Sequence, residues 1–395
     1  MISQTRSSIP ERSKADVKVI FALALVHFTG DFYASFVHPL LPLFVQKLSL
    51  SLTQVGLIAG VSRFFAFIVQ PPAGYIADHY RTRLFVLGGP LLAVVFIPFV
   101  GVAPSFLLLL LFICFGSIGS AMFHPTSAGM VPSYAGSHPG FSMSIFNMGG
   151  TFAFGVGPLF ITYFVHTYGL EASPFTMIIG FPLVALLIMI VPFPGGEGLG
   201  KLGFIGSIRE TLGTVWKSIV LIWVVMVLRS FVTQSFLTFL PVFYANEGHS
   251  LISIGAIVSI FTVAGALSGL LAGHLSDRVG YKPVFFTAHG LATPSLLLLL
   301  ILSGKWVYGG ALLAGFFVLA TLPLGVSMAQ ELAPRGRSMV SSLMMGLAFG
   351  TGGMMTPLTG MAADIYSIRP VLCLLAVVPL LTTGLIARLQ EKRLK

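Results

Sequence analysis

Twelve apolar stretches, each of roughly 20 residues or more, follow one another along this chain with only short polar breaks between most of them. A run of that length crosses the hydrocarbon core of a bilayer as a helix, at 1.5 Å of rise per residue. Spans are predicted at 17–45, 53–79, 84–103, 105–131, 140–166 and 174–193, then at 217–245, 251–277, 284–303, 306–331, 338–364 and 370–389. The runs are continuous and do not alternate residue by residue, so helices are favoured over a closed barrel of strands. Composition agrees: 9% of the 395 residues are charged and 56% are hydrophobic, against about a quarter charged in soluble domains.

The net charge of +10 raises the question of nucleic acid, and its placement answers it. With the N-terminus on the cytoplasmic side, seventeen of the 22 lysines and arginines fall in segments facing the cytoplasm. Three lie outside (Lys47, Lys305, Arg369) and two within spans (Arg63, Arg229). This is the positive-inside pattern. It predicts a multi-pass protein of the cell membrane, the inner one in a Gram-negative cell, with both termini cytoplasmic and no nucleic-acid partner. Cys114 and Cys373 sit in mid-span, where thiols behave as small hydrophobes. The first span is longer than a signal-peptide core and no A-x-A site follows it, so it is expected to stay.

Two phrases reveal a duplication. "AGYIADHYRTR" (73–83) and "AGHLSDRVGYK" (272–282) place Asp78 and Asp277 199 residues apart. The same offset carries Leu41, Pro42, Phe44 and Gly56 onto Leu240, Pro241, Phe243 and Gly255. The glycine-, proline- and charge-containing stretch between spans 6 and 7 reads as a linker. The predicted organisation is therefore a six-helix bundle over 1–191, a cytoplasmic linker over 192–216 and a second six-helix bundle over 217–395. An even number of spans per half makes the repeat parallel. The fold class is an all-α membrane protein, twelve transmembrane helices in two pseudo-symmetric bundles.

Each copy of the phrase ends the second helix of its half. Gly74 and Gly273 allow close helix approach, and the aspartates can meet a helix N-terminus or an arginine. Arg83, Arg278 and Lys282 hold the turns in the cytoplasm, around Gly280 in the second copy. Small-residue faces also recur at Gly265, Gly269 and Gly273, at Gly346 and Gly350, and at Gly149, Gly150, Gly155 and Gly157, where backbones can pack closely in lipid.

Ionisable residues deep in spans are costly unless paired or facing water, which makes them functional candidates. Asp31 is the one acid near the middle of a span. His27 lies four residues before it, on the same helical face. This pair is the candidate proton-coupling site, with a structural ion pair between Asp31 and Arg63 as the competing reading. Arg63 and Arg229 are candidates for an anionic or polar cargo, because guanidinium donates bidentate hydrogen bonds to phosphate, phosphonate or carboxylate. The alternative for each is to tie down backbone carbonyls. His124, Asn147, Gln234 and Gln330 complete the candidate cargo residues.

The frame G-x-x-x-D-R-x-G-x-K at Gly273, Asp277, Arg278, Gly280 and Lys282 resembles the loop motif of the major facilitator superfamily, and the first copy departs from it at His79 and Arg81. That resemblance implies a latch between the cytoplasmic ends of the halves. The stretches 26–44, 123–159 and 329–354 are similar to the fosmidomycin resistance protein family within it. His27 and Asp31 fall on that family's H-x-x-x-D, His124 and Pro125 on F-H-P, Ile145 to Gly150 on I-F-x-x-G-G, and Gln330 and Glu331 on Q-E-L. Thr126 stands where glutamate is expected and Asn147 where glutamine is.

The resemblance implies proton-driven efflux of a small anionic or polar drug such as a phosphonate. A proton-linked importer of a metabolite anion on the same fold remains open. An intramembrane enzyme or a sensor is a remote alternative: H-E-x-x-H, G-x-S-x-G and the P-loop frame are all missing. No cofactor is expected, and the partners are the solute, protons and the bilayer, with the chain a monomer.

Overall fold

The computed structural model describes residues 15–79, 83–136, 139–193, 213–332 and 342–388. Those residues are almost wholly helical. The first half contains α1 (Val17–Ala34), α2 (Val37–Leu48), α3 (Leu52–His79), α4 (Leu84–Phe96), α5 (Phe106–Tyr134), α6 (Pro139–Tyr168) and α7 (Met177–Ile190). The second contains α8 (Trp216–Asn246), α9 (Leu251–Val279), α10 (Tyr281–Ile301), α11 (Trp306–Leu319), α12 (Thr321–Leu332), α13 (Phe349–Met354), α14 (Thr356–Tyr366) and α15 (Ile368–Ala387). Among the described residues, eleven helical segments are long and apolar enough to cross a membrane. The remaining predicted span, 338–364, is broken: a π-helical turn at Ser342–Ala348 leads into α13 and then α14. Most of the expected linker 192–216 lies outside the described residues, and α8 already begins at Trp216.

Prolines set the breaks. Pro39 has no N–H to offer the carbonyl of Ser35 and its ring crowds that carbonyl, so span 1 bends between α1 and α2. Pro357 acts likewise on Gly353, and the Thr356 hydroxyl takes up the freed Gly353 carbonyl at 2.6 Å. Such side-chain repair is how a bilayer tolerates a broken helix.

Helix contacts repeat between the halves. Span 1 packs on 5 as 7 packs on 11, span 2 on 4 as 8 on 10, and span 3 on 6 as 9 on 12. The duplication also appears in single hydrogen bonds. Arg83, at the start of α4, donates to the carbonyl of Ile188 at the end of α7 (2.9 Å). Lys282, in the first turn of α10, donates to Ala387 at the end of α15 (3.0 Å). Donor and acceptor are 105 residues apart in both, and the two bonds are related by the 199-residue offset. A base at a helix C-terminus meets its unpaired carbonyls and the negative end of its dipole.

The halves meet along two seams, α6 against α9 and α3 against α13 and α14. Glycines bring the backbones together: a Cβ on Gly255 would collide with Thr162 and Pro158, and one on Gly360 with Leu52 and Thr53. At the end of the molecule away from the basic turns, Asp364 of α14 accepts from the Leu52 and Thr53 amides (2.7 and 2.9 Å) and from the Thr53 hydroxyl (2.5 Å). It caps α3 from the opposite half. Toward the basic end both seams part. Gly273 and Gly346 have nothing within 4 Å of a built Cβ, and Phe141, Met148 and Phe152 on α6 are exposed.

Candidate proton and cargo site

Asp31 lies in the fifteenth position of α1 and is 3% exposed. His27, one turn earlier, brings its Nε2 to 3.2 Å from Asp31 Oδ2. From α5, His124 brings its Nε2 to 3.3 Å from Oδ1. Both rings are held from behind: His27 Nδ1 meets the Phe146 carbonyl at 3.0 Å, and His124 Nδ1 meets the Ser120 carbonyl at 2.7 Å. A carbonyl can only accept, so each Nδ1 carries the hydrogen. Each Nε2 of a neutral ring is then a bare acceptor aimed at a carboxylate oxygen, and neither contact is attractive without a proton between the two atoms. The arrangement can therefore hold a proton in either of two places. His2Asp is also the composition of a cation site, its donor atoms within 4.8 Å of one another.

Helix packing positions the three groups. Gly149 and Gly150 let α6 lie directly on α1, and Gly150 faces the His27 imidazole. His27 stacks on Phe146 (centroids 4.4 Å apart) and His124 on Phe123 (4.2 Å). The His124 side chain is 31% exposed while that of Asp31 is 4% exposed, so His124 is the more exposed edge of the cluster.

One turn along α5 from His124, Ser120 lines a cavity of about 90 Å³ together with Ser117, Ser62, Arg63 and His38. No carboxylate of the described residues lines it. Arg63 makes no ion pair with Asp31; its guanidinium stacks on Phe349 of α13, 4.4 Å from the ring centroid. Sequence reasoning placed His27 beside Asp31 from their spacing, but it put His124 with the cargo and did not single out His38. No spacing rule connects residues on different helices.

A family model described as Major Facilitator Superfamily matches residues 23–357 and 248–394. This chain belongs to that superfamily. It is 25% identical over 377 residues to the fosmidomycin resistance protein of Escherichia coli (strain K12), covering 94% of this chain and 92% of that one. It is 26% identical to an uncharacterised MFS-type transporter, YfnC, of Bacillus subtilis (strain 168), covering 92% and 90%. Among solved structures it superposes on a bacterial homologue of the human lysosomal transporter Spinster, in an inward-facing, unoccupied conformation, with a TM-score of 0.78 at 17% identity over 93% of this chain and 95% of that one. The superfamily makes this chain a multi-pass membrane transporter of small molecules and not an enzyme.

The other predicted residues of this superfamily member are scattered. Arg229 is enclosed in the second half, its Nε donating to Thr321 Oγ1 (2.9 Å) and its Nη2 to the Leu319 carbonyl (3.5 Å). It shares a small cavity with His289, whose Nδ1 lies 2.5 Å from Thr382 Oγ1, and that cavity is lined by second-half residues alone. Gln234 is buried with its Oε1 unpartnered among the described residues, Asn147 is exposed on α6, and Gln330 is half-buried near the end of α12. Thr126 is buried and donates to Met122, so the position where a glutamate was expected is occupied by a satisfied hydroxyl.

Of the predicted latch, Arg83 and Lys282 bond within their own halves, and Gly280 supplies a turn with φ of 89°. Arg278 is exposed. The side chains of Gly74, Asp78 and Asp277 lie outside the described residues. Among the described residues the cross-half hydrogen bonds found are those at Asp364, at the opposite end, from the Thr356 hydroxyl to the Gly56 carbonyl (3.2 Å) and from the Thr262 hydroxyl to the Phe154 carbonyl (3.1 Å); none of these involves a predicted latch residue.

Proposed function

We propose that this chain moves a small anionic or polar solute across the cell membrane by alternating access, in exchange for protons. Asp31 carries the proton, and His27 and His124 hold it in place and pass it toward water. The observation that supports this most is the carboxylate set between two imidazoles whose other nitrogens are already committed to carbonyls. Arg63 supports an anionic cargo, and the remaining predicted contacts, Asn147, Arg229, Gln234 and Gln330, are assigned to the cargo path or to the helices that frame it. Outward movement of a drug is inferred from kinship with the fosmidomycin resistance protein. The positive-inside pattern supports a cytoplasmic basic end with both termini on that side.

The test is flux in proteoliposomes under an imposed pH gradient. Wild-type protein is expected to move cargo against its gradient. Asp31→Asn, which keeps the shape and loses the titrating oxygen, is expected to exchange cargo down a gradient but not to accumulate it. Undiminished proton-driven accumulation in that variant would remove Asp31 from its role. Everted vesicles that take up cargo with protons leaving indicate efflux; the opposite polarity indicates the importer.

A further inference from the structure

We propose that His27, Asp31 and His124 form a binding site for a borderline divalent metal ion of the Zn2+ type, and that an ion held there blocks proton coupling. The second clause rests on the transport reading above; the first stands on the geometry alone.

The cluster turns lone pairs toward one another. Both imidazoles donate through Nδ1 to backbone carbonyls, those of Phe146 and Ser120, so both Nε2 atoms face the carboxylate as bare acceptors. Asp31 is 3% exposed, and its Oδ1 has no hydrogen-bond partner among the described residues. A buried carboxylate oxygen without a partner is costly. One proton settles one of the two nitrogen–oxygen gaps and leaves the other repulsive. A single dication that touches both nitrogens and the carboxylate settles both.

The spacing suits such an ion. Zinc bonds of about 2.0–2.1 Å at the tetrahedral angle put neighbouring donors about 3.3 Å apart. The two gaps measure 3.2 and 3.3 Å. All three donors lie within 4.8 Å of one another, so a small swing of one ring closes the set. His124 is the freer ring, with its side chain 31% exposed, whereas His27 is held between Phe146 and Gly150.

The donor types choose the metal. Two imidazoles and one carboxylate suit Zn2+ and its first-row neighbours, while Mg2+ and Ca2+ take shells of oxygen. The carbonyls behind both Nδ1 atoms fix tautomer and ring direction, the usual arrangement behind a metal-bound histidine. Three protein ligands and an exposed edge at His124 leave a position for water and a way in. Charge sets the limit: Arg63 acts electrostatically on both Asp31 and His124, and it opposes a dication. The ion is therefore held reversibly.

An ion in this place occupies the atoms on which the coupling proton is proposed to sit. All three ligands come from α1 and α5 of the first half, so the ion does not tie the halves together. Bound Zn2+ is expected to stop proton-driven accumulation and to spare downhill exchange.

The experiment titrates Zn2+ into the purified full-length protein, freed of any histidine tag, in nanodiscs. Co2+ serves as a coloured substitute whose visible spectrum reports its donors. One Zn2+ is expected to bind per chain, with Mg2+ and Ca2+ at least about a hundredfold weaker. Asp31→Asn and His124→Gln should each weaken binding at least about tenfold and change the Co2+ spectrum. Arg63→Gln should tighten binding several-fold, a gain that general loosening of the fold would not produce. His166→Gln, at an exposed histidine of α6, should leave binding unchanged.

Absence of saturable Zn2+ binding overturns the proposal, and so does binding that survives intact in both Asp31→Asn and His124→Gln. Mg2+ binding as tightly as Zn2+ overturns the metal class. Zn2+ bound at these residues with proton-driven accumulation undiminished would sink the coupling reading and leave the metal site standing. Accumulation that depends on Asp31, in a protein that binds no Zn2+, would do the reverse.

Discussion

Gly150 is one hydrogen atom in place of a side chain, and the proposed proton site depends on it. A Cβ at that position would fall on the His27 ring, against Nε2 itself. His27 cannot retreat freely, because its Nδ1 is bonded to Phe146 and its face is stacked on the same residue. Gly150→Ala is therefore expected to push Nε2 away from Asp31 and to cost about 1–3 kcal/mol through overpacking. Proton-driven accumulation should fall while downhill exchange survives. Gly129→Ala serves as the control, since a Cβ there meets nothing within 4 Å. Equal coupling in Gly150→Ala and wild type would show that the imidazole does not act on the carboxylate.

Helices explain what a sequence like this one discloses. Twelve spans, their duplication and the His27–Asp31 neighbourhood all follow from spacing along one chain, because hydropathy and the helical repeat act locally. Contacts between helices do not. Asp31 and Arg63 are the obvious buried pair by charge, yet the carboxylate is met by His124 and the guanidinium by an aromatic face. Asp364 reads as an ordinary polar residue near the end of a span, and only packing shows it capping α3 across the seam. That cap is a three-bond tie at the end where the halves close. Removing an N-cap acceptor costs about 0.5–2 kcal/mol, and here the loss falls on the closed end alone. Asp364→Ala is expected to shift the population toward a state open at that end. Spin labels placed on the exposed faces flanking the cap would report a longer distance distribution; an unchanged distribution would show the cap to be dispensable.

For the molecule as a whole, a solute site at mid-membrane transports only if its access can switch sides. The two seams are tight from the Asp364 end as far as Gly350 against Phe67 and Gly155 against Val263, and they part toward Gly346 and Gly273. With the basic end cytoplasmic, this is a state closed outward and open inward. The open wedge has a chemical readout, because cysteines at 273 and 346 would stand in free space while one at 56 would be pressed against Pro357. A membrane-impermeant maleimide applied from the cytoplasmic face is expected to label Gly273→Cys and Gly346→Cys readily, against a background in which Cys114 and Cys373 are replaced by alanine. Adding Asp364→Ala should slow that labelling, since opening one end of a two-state machine closes the other. Labelling from the opposite face only would reverse the assigned orientation. Labelling unaffected by Asp364→Ala would mean that the two ends are not coupled.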